Sequence, residues 1–211
     1  MEILDRIGRQ PVLPILNFAD RDSALRIAEA LANGGINAFE ITLRSPGAMD
    51  ALQAVRKAFP DLALGAGTIQ EKEQLSQVKD CGIDFGVSPG WSDELWERSQ
   101  ELELPFFPGI LTPTELTRAV HSGCRALKIF PIEPAGGIAY LKSLIAPFRS
   151  HHLKYLPTGG IHRAKVEDYL AEDSVLTVGG SWLTPRDLID KKEFGKITEL
   201  AIASLSLGNQ E

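Results

Sequence analysis

Short apolar runs alternate with stretches of helical periodicity along almost the whole chain. Pro11-Val12-Leu13-Pro14-Ile15-Leu16 reads as a first strand, and Asp20 caps a helical pattern carried by Ala24, Ile27, Ala28 and Leu31 and closed by Gly34-Gly35. From Ala38 to Arg44 the pattern has period two, with Phe39, Ile41 and Leu43 on one face and Glu40, Thr42 and Arg44 on the other. Ser45-Pro46 opens a helix to about Ala58, followed by an apolar run from Leu62 to Thr68 and a polar helix from Glu71 to Asp80. Ile83–Val87 and Leu104–Phe107 are the next strands, with a helix from Asp93 to Leu102 between them and one begun by Thr112-Pro113 after them. Arg125–Pro131 precedes a helix through Leu141, Leu144 and Ile145; Lys154–Pro157 precedes one from Arg163 to Leu170; Ser174–Val178 precedes helical sequence to about Leu207. A strand–helix unit repeated about eight times predicts an α/β fold, a single (β/α)8 TIM barrel over residues 1–211, with an N-terminal extension of about ten residues and a C-terminal helix over about 193–207. An open doubly wound sheet is the alternative, and usually has fewer units.

The stretch Arg125-Ala126-Leu127-Lys128-Ile129-Phe130-Pro131 interrupts the pattern with a cation in mid-strand. Apolar residues on both faces imply that both are covered, as in a parallel sheet under helices. Lys128 is then either a strand-end lysine whose ammonium reaches water, or a desolvated amine able to attack a carbonyl and form a Schiff base. Glu40 is its counterpart: a carboxylate in mid-strand, costly if unpaired. If both face the interior they can pair, as a structural salt bridge or as a nucleophile with a proton shuttle.

In barrels the chemistry gathers where strands end. Arg44, on the Glu40 face and nearer that end, suits bidentate capture of a carboxylate, or else caps a loop at the surface. Thr68, after Gly65-Ala66-Gly67, offers a hydroxyl to the same carboxylate, although Gly-Thr is also ordinary turn chemistry. Thr158-Gly159-Gly160 and Gly179-Gly180-Ser181 follow the seventh and eighth expected strands, where backbone N–H groups can cradle an anion. A phosphorylated substrate fits that pair of loops.

Composition narrows the classes. With 44% hydrophobic and 24% charged residues in 211, the chain has ordinary globular balance, and a net charge of −6 argues against nucleic acid or an anionic membrane as partner. No apolar run approaches a membrane span, and Met1–Arg6 lacks the pattern of a signal peptide. Cys81 and Cys124 are expected as free thiols, in keeping with a reducing cytoplasm. His121, His151, His152 and His162 show no spacing that converges on a metal, so neither metal nor cofactor is expected. Trp91, Trp96 and Trp182 read as packing residues, with Trp182 placed to wall a site beside Ser181.

Glu40-Ile41-Thr42-Leu43-Arg44, Gly65-Ala66-Gly67-Thr68, Ser88-Pro89-Gly90, Pro108-Gly109, Lys128-Ile129-Phe130-Pro131, Pro157-Thr158-Gly159-Gly160-Ile161 and Gly179-Gly180-Ser181-Trp182 occur in this order. Together they resemble the 2-keto-3-deoxy-6-phosphogluconate (KDPG) aldolase family, the KDPG/KHG aldolases, from about Pro11 to Leu183. The resemblance implies a class I aldolase that cleaves KDPG reversibly to pyruvate and glyceraldehyde 3-phosphate, the aldol step of the Entner–Doudoroff pathway. It implies Lys128 as the Schiff-base lysine, Glu40 as general acid/base, and Arg44 and Thr68 on the pyruvyl carboxylate. Thr158 would bear on stereochemistry, Pro89 and Phe130 would contact substrate, and Gly159, Gly160, Gly180 and Ser181 would hold the phosphate. Such proteins are typically homotrimers. The Thr-Leu-Arg, Pro-Gly and Pro-Thr-Gly-Gly elements favour KDPG over the alternative, 2-keto-3-deoxy-6-phosphogalactonate. Ile132-Glu133-Pro134-Ala135 and Asn17-Phe18, both bordering the mouth, look unusual for the family and bear on substrate breadth, including cleavage of 4-hydroxy-2-oxoglutarate to pyruvate and glyoxylate. Outside the resemblance stand a phosphosugar isomerase or a phosphosugar-binding barrel without Schiff-base chemistry.

Overall fold

The structure, a computed structural model, describes residues 3–17 and 20–208. Met1, Glu2 and Phe18, which figure in the signal-peptide and mouth expectations above, lie outside the described residues. In chain order the first half comprises α1 (Ile3–Ile7), β1 (Val12–Leu16), α2 (Arg21–Asn33), β2 (Ala38–Thr42), α3 (Ala48–Ala58), β3 (Ala63–Gly67), α4 (Lys72–Asp80), β4 (Phe85–Val87) and α5 (Asp93–Glu101). The second half comprises β5 (Phe106–Phe107), β6 (Gly109–Ile110), α6 (Pro113–His121), β7 (Ala126–Ile129), α7 (Gly137–Ile145), β8 (Lys154–Pro157), α8 (Val166–Leu170), β9 (Val178–Gly180), α9 (Arg186–Asp190) and α10 (Phe194–Leu205).

The closed eight-stranded TIM barrel expected from the unit count does not form. Among the described residues the strands make two parallel sheets, one of six in the order β5-β4-β3-β2-β1-β9 and one of three in the order β6-β7-β8. One break falls at Pro108. Phe106 and Phe107 pair with Gly86 and Val87 of β4, whereas Gly109 and Ile110 pair with Lys128 and Ile129 of β7. The proline between them has no N–H with which to carry a ladder across. At the other side β8 and the approach to β9 meet only in the isolated bridges Tyr155↔Val175 and Thr158↔Gly179. The last strand is also displaced from its expected place. Val178, Gly179 and Gly180 pair with Val12, Leu13 and Pro14, so glycines that read as a turn are part of a ladder.

Helix starts follow the sequence closely, because side chains satisfy the first free amides. The Asp20 carboxylate accepts from Ser23 N at 2.8 Å, and Thr112 with Glu115 forms a reciprocal capping box at the start of α6. Buried Gln10 fixes the start of the β1–β2 pair. Its amide donates to Val12 O at 2.8 Å and Ala38 O at 2.7 Å, and its carbonyl accepts from Asn37 N at 3.1 Å and Ala38 N at 3.0 Å. With every polar atom of that side chain in use, the register that sets Ile15 against Glu40 is held at its root.

Apolar burial divides in two. The larger cluster lies between sheets and helices; the smaller, formed by Ile7, Leu13, Ala38, Ala63, Phe85, Val87, Phe107, Ala126 and Leu156, fills the interior enclosed by the strands. Ala38, Ala63, Phe85 and Ala126 are the first residues of their strands, so Ile7, fully buried against them, closes the N-terminal end. Its helix α1, with Ile3 and Leu4 packed on the same cluster, stands where only an extension is expected from the sequence. Ile7→Ala is expected to cost about 2–5 kcal/mol of stability, read as a lower urea midpoint at unchanged slope.

Candidate active site

Strand alternation brings the two mid-strand charges together. Ala38, Glu40 and Thr42 point inward from β2, and Ala126 and Lys128 point inward from β7. Glu40 is 1% exposed and Lys128 6%, and Lys128 Nζ lies 3.5 Å from Glu40 Oε1. The two residues come from different sheets, so the pair bridges them across the interior. The Phe130 ring lies beside the amine, its centroid 5.4 Å from Nζ. Glu40 Oε1 accepts no hydrogen bond among the described residues, although it is buried. A carboxylate oxygen so placed retains its capacity to accept a proton or a donor from a molecule entering the interior.

Room for the carboxylate comes from the neighbouring strand. Gly67 pairs with Thr42, and a Cβ on Gly67 would overlap Glu40 Oε1 and Cδ. Glycine is required there by close approach.

The pair opens into a cavity of about 270 Å³ at the C-terminal ends of the strands. Of the residues singled out in the sequence, Glu40, Arg44, Lys128, Phe130, Thr158, Gly159, Gly160 and Ser181 line it. Thr68, Pro89 and Gly180 are not part of the lining. Thr68 bonds to Arg44, whose Nε donates to its hydroxyl at 3.2 Å, and takes a left-handed backbone conformation with φ of 60°. The Pro89 carbonyl instead packs on Gly109. Trp182 walls the cavity as expected. Gly179, named with the second glycine loop, also lines it, and Ile15, Thr42, Ile161 and His162 are lining residues that sequence reasoning did not select. The alternation that marked Glu40 also placed Thr42 on its face; its hydroxyl donates to Leu16 O at 3.1 Å. For His162 the available signal was its place just after the Gly-Gly of the seventh strand end. Thr158 is buried, with its hydroxyl donating to Leu156 O at 3.2 Å. Among the described residues no group of three or more His, Cys, Asp or Glu is placed to hold a metal ion, and no helix is long and apolar enough to cross a membrane.

Chemically, the cavity joins an amine and a carboxylate at its buried end to a guanidinium, a glycine loop and a hydroxyl nearer the mouth. The amine can add to a carbonyl, the carboxylate can move protons, and the rest can hold anions.

Comparison with known proteins agrees over nearly the full length. The family model described as KDPG and KHG aldolase matches residues 3–200. The KHG/KDPG aldolase of Escherichia coli K12 is 39% identical over 191 residues, covering 90% of this chain and 89% of that one. The 2-dehydro-3-deoxy-phosphogluconate aldolase of Dickeya dadantii is 38% identical over 191 residues, with coverage of 90% and 89%. Among solved structures, the KDPG aldolase of Legionella pneumophila, with pyruvate captured at low pH as a covalent carbinolamine intermediate, superposes with a TM-score of 0.92 at 37% identity, covering 98% of this chain and 99% of that one.

Gly67→Ala tests the packing around Glu40. The added methyl must displace the carboxylate or shift β3, at an expected cost of about 1–3 kcal/mol in urea denaturation. Gly90→Ala, where a Cβ meets nothing within 4 Å, is expected to stay within about 0.5 kcal/mol of wild type.

Proposed function

The chain belongs to the KDPG and KHG aldolase family, and from that premise we propose that it is a class I aldolase cleaving KDPG reversibly to pyruvate and glyceraldehyde 3-phosphate. The observation that carries the reading is the buried Lys128–Glu40 pair, 3.5 Å apart at the end of a cavity that Thr158, Gly159, Gly160 and Ser181 also line. The carbinolamine in the Legionella pneumophila relative supports amine addition as the first step.

In this mechanism Lys128, as the free amine, adds to the C2 carbonyl of the substrate, and loss of water gives the imine. The protonated imine withdraws electrons from C3. Glu40, directly or through a water, takes the proton of the C4 hydroxyl; the C3–C4 bond breaks, and glyceraldehyde 3-phosphate departs. The enamine is then protonated at C3, and hydrolysis releases pyruvate and restores the amine. Arg44 holds the pyruvyl carboxylate, with Thr68 acting through its bond to Arg44 rather than at the cavity wall. Thr158, buried beside the amine's strand, faces the carbinol. Gly159, Gly160 and Ser181 receive the phosphate, and Gly180, off the lining, leaves room for Trp182, whose Nε1 a Cβ there would approach to 2.9 Å. Phe130 flanks the amine, and Pro89, off the lining, acts through its packing on Gly109, the strand partner of Lys128. A homotrimer working in the cytoplasm, with 4-hydroxy-2-oxoglutarate as a second substrate, completes the proposal; the name of the Escherichia coli relative supports that breadth.

The test is intact mass after mixing the protein with pyruvate and borohydride. A pyruvate-sized adduct mapped to Lys128 on wild type and absent from Lys128→Met is expected. Folded wild-type protein without an adduct would favour a phosphosugar isomerase or binder instead. Glu40→Gln is expected to lower kcat by about 10²–10⁴-fold. Turnover of KDPG against its phosphogalactonate epimer then decides the stereochemistry.

A further inference from the structure

The loop after β7 carries a carboxylate that no step above uses. Two consecutive amides of this loop hold two consecutive carbonyls of the glycine loop: Ile132 N donates to Thr158 O at 2.9 Å, and Glu133 N to Gly159 O at 3.1 Å. The Glu133 side chain then reaches the other flank of the same loop. Its carboxylate accepts from Tyr169 Oη at 2.7 Å and pairs with Lys165 Nζ. Tyr169 belongs to α8, and Lys165 ends the 3₁₀ turn Arg163–Lys165 that precedes it. Packing makes the fit close. A Cβ on Gly160 would lie 3.0 Å from Glu133 Cβ, and the positive φ of Gly160, 84°, already favours glycine.

Burial opposes ionisation of Glu133, but the bonds from Lys165 and Tyr169 outweigh it and hold the carboxyl below the usual range. The fully buried Tyr169 has its phenol raised in turn, by burial first and by the Glu133 carboxylate second.

The structure assigns Glu133 the role of a positioning residue that sets the shape of the Thr158-Gly159-Gly160 loop for a phosphate, an inference that rests on the aldolase reading above. One residue fixes the loop by its own amide and fixes the segment following the loop by its carboxylate. Backbone donors for an anion act only when their directions converge, so a loop untied at one flank loses affinity for the phosphate before it loses its fold. A purely electrostatic role predicts the reverse. A carboxylate beside an anion site repels the ligand, and removing it would tighten binding. Position and charge therefore predict opposite signs.

The experiment compares wild type, Glu133→Ala and Glu133→Gln through three readouts: KM for KDPG, the inhibition constant of inorganic phosphate, and exchange of pyruvate methyl hydrogens for deuterium followed by NMR. The exchange reaction needs the amine and the proton shuttle but no phosphate group. Glu133→Ala is expected to raise both the KM and the phosphate inhibition constant about tenfold, with exchange within about twofold of wild type. Glu133→Gln, whose one amide oxygen can accept from Lys165 while its NH2 donates to the Tyr169 hydroxyl, keeps the tether without the charge and is expected to recover most of the loss. Tyr169→Phe, a milder cut in the same tether, shifts KM in the same direction. An unchanged or lower KM in Glu133→Ala would overturn the proposal, and so would parallel losses of KM and exchange, the signature of general loosening. Lack of exchange in wild type would sink the aldolase reading itself, which separates the two failures.

Discussion

A buried charge pair is the constraint around which this structure is arranged. Desolvating an ammonium and a carboxylate costs several kcal/mol for each ion, about what their attraction returns when the geometry is good. Glu40 and Lys128 approach to 3.5 Å, yet Glu40 Oε1 accepts no hydrogen bond among the described residues, so the pair is incompletely satisfied. Well-packed apolar residues of the same volume often stabilise a core at least as well as such a pair. What the pair requires instead is space. Phe85, Phe107, Leu13 and Leu156 fill other parts of the interior, whereas Gly67 leaves the carboxylate the room that a methyl group there would take.

The two sheets divide the labour of holding it. Glu40 hangs from the six-stranded sheet through a register anchored by Gln10; Lys128 hangs from the three-stranded one, paired with Gly109 and Leu156. Pro108 interrupts the ladder between those sheets, and the residues on either side of it still pair outward, one to each sheet. The ion pair is thus a tie across the interior at a level where the backbone ladder is not continuous.

The legibility of these features in the sequence follows the range of the forces involved. A charge flanked by apolar residues at period two is a local pattern, and it exposed Glu40 and Lys128 directly. Helix starts were legible for the same reason, since a cap bonds only three residues ahead. Closure of the sheet was not legible, because it depends on which distant strand accepts each edge. There, Pro108 and the gap between β8 and β9, spanned by isolated bridges, decided against the closed barrel. Helix α1 was invisible because five residues are too few to display a helical period. Thr68 was chosen for a hydroxyl at a glycine-rich strand end, and Pro89 through the family resemblance alone. The same short loops can turn a side chain off the wall as readily as onto it, and only the fold showed Thr68 off the lining and bonded to Arg44.

The seal that Ile7 makes at the N-terminal end has a consequence for traffic. An interior sealed at its base is a blind alley, and everything the proposed reaction consumes or releases must use one doorway. The water expelled when the imine forms, the aldehyde that departs, and the water that later frees pyruvate pass the same wall of Arg44, Thr158 and Trp182. Departure of the aldehyde and arrival of the hydrolytic water then become successive events, and the reactive enamine is shielded from solvent while the doorway is occupied.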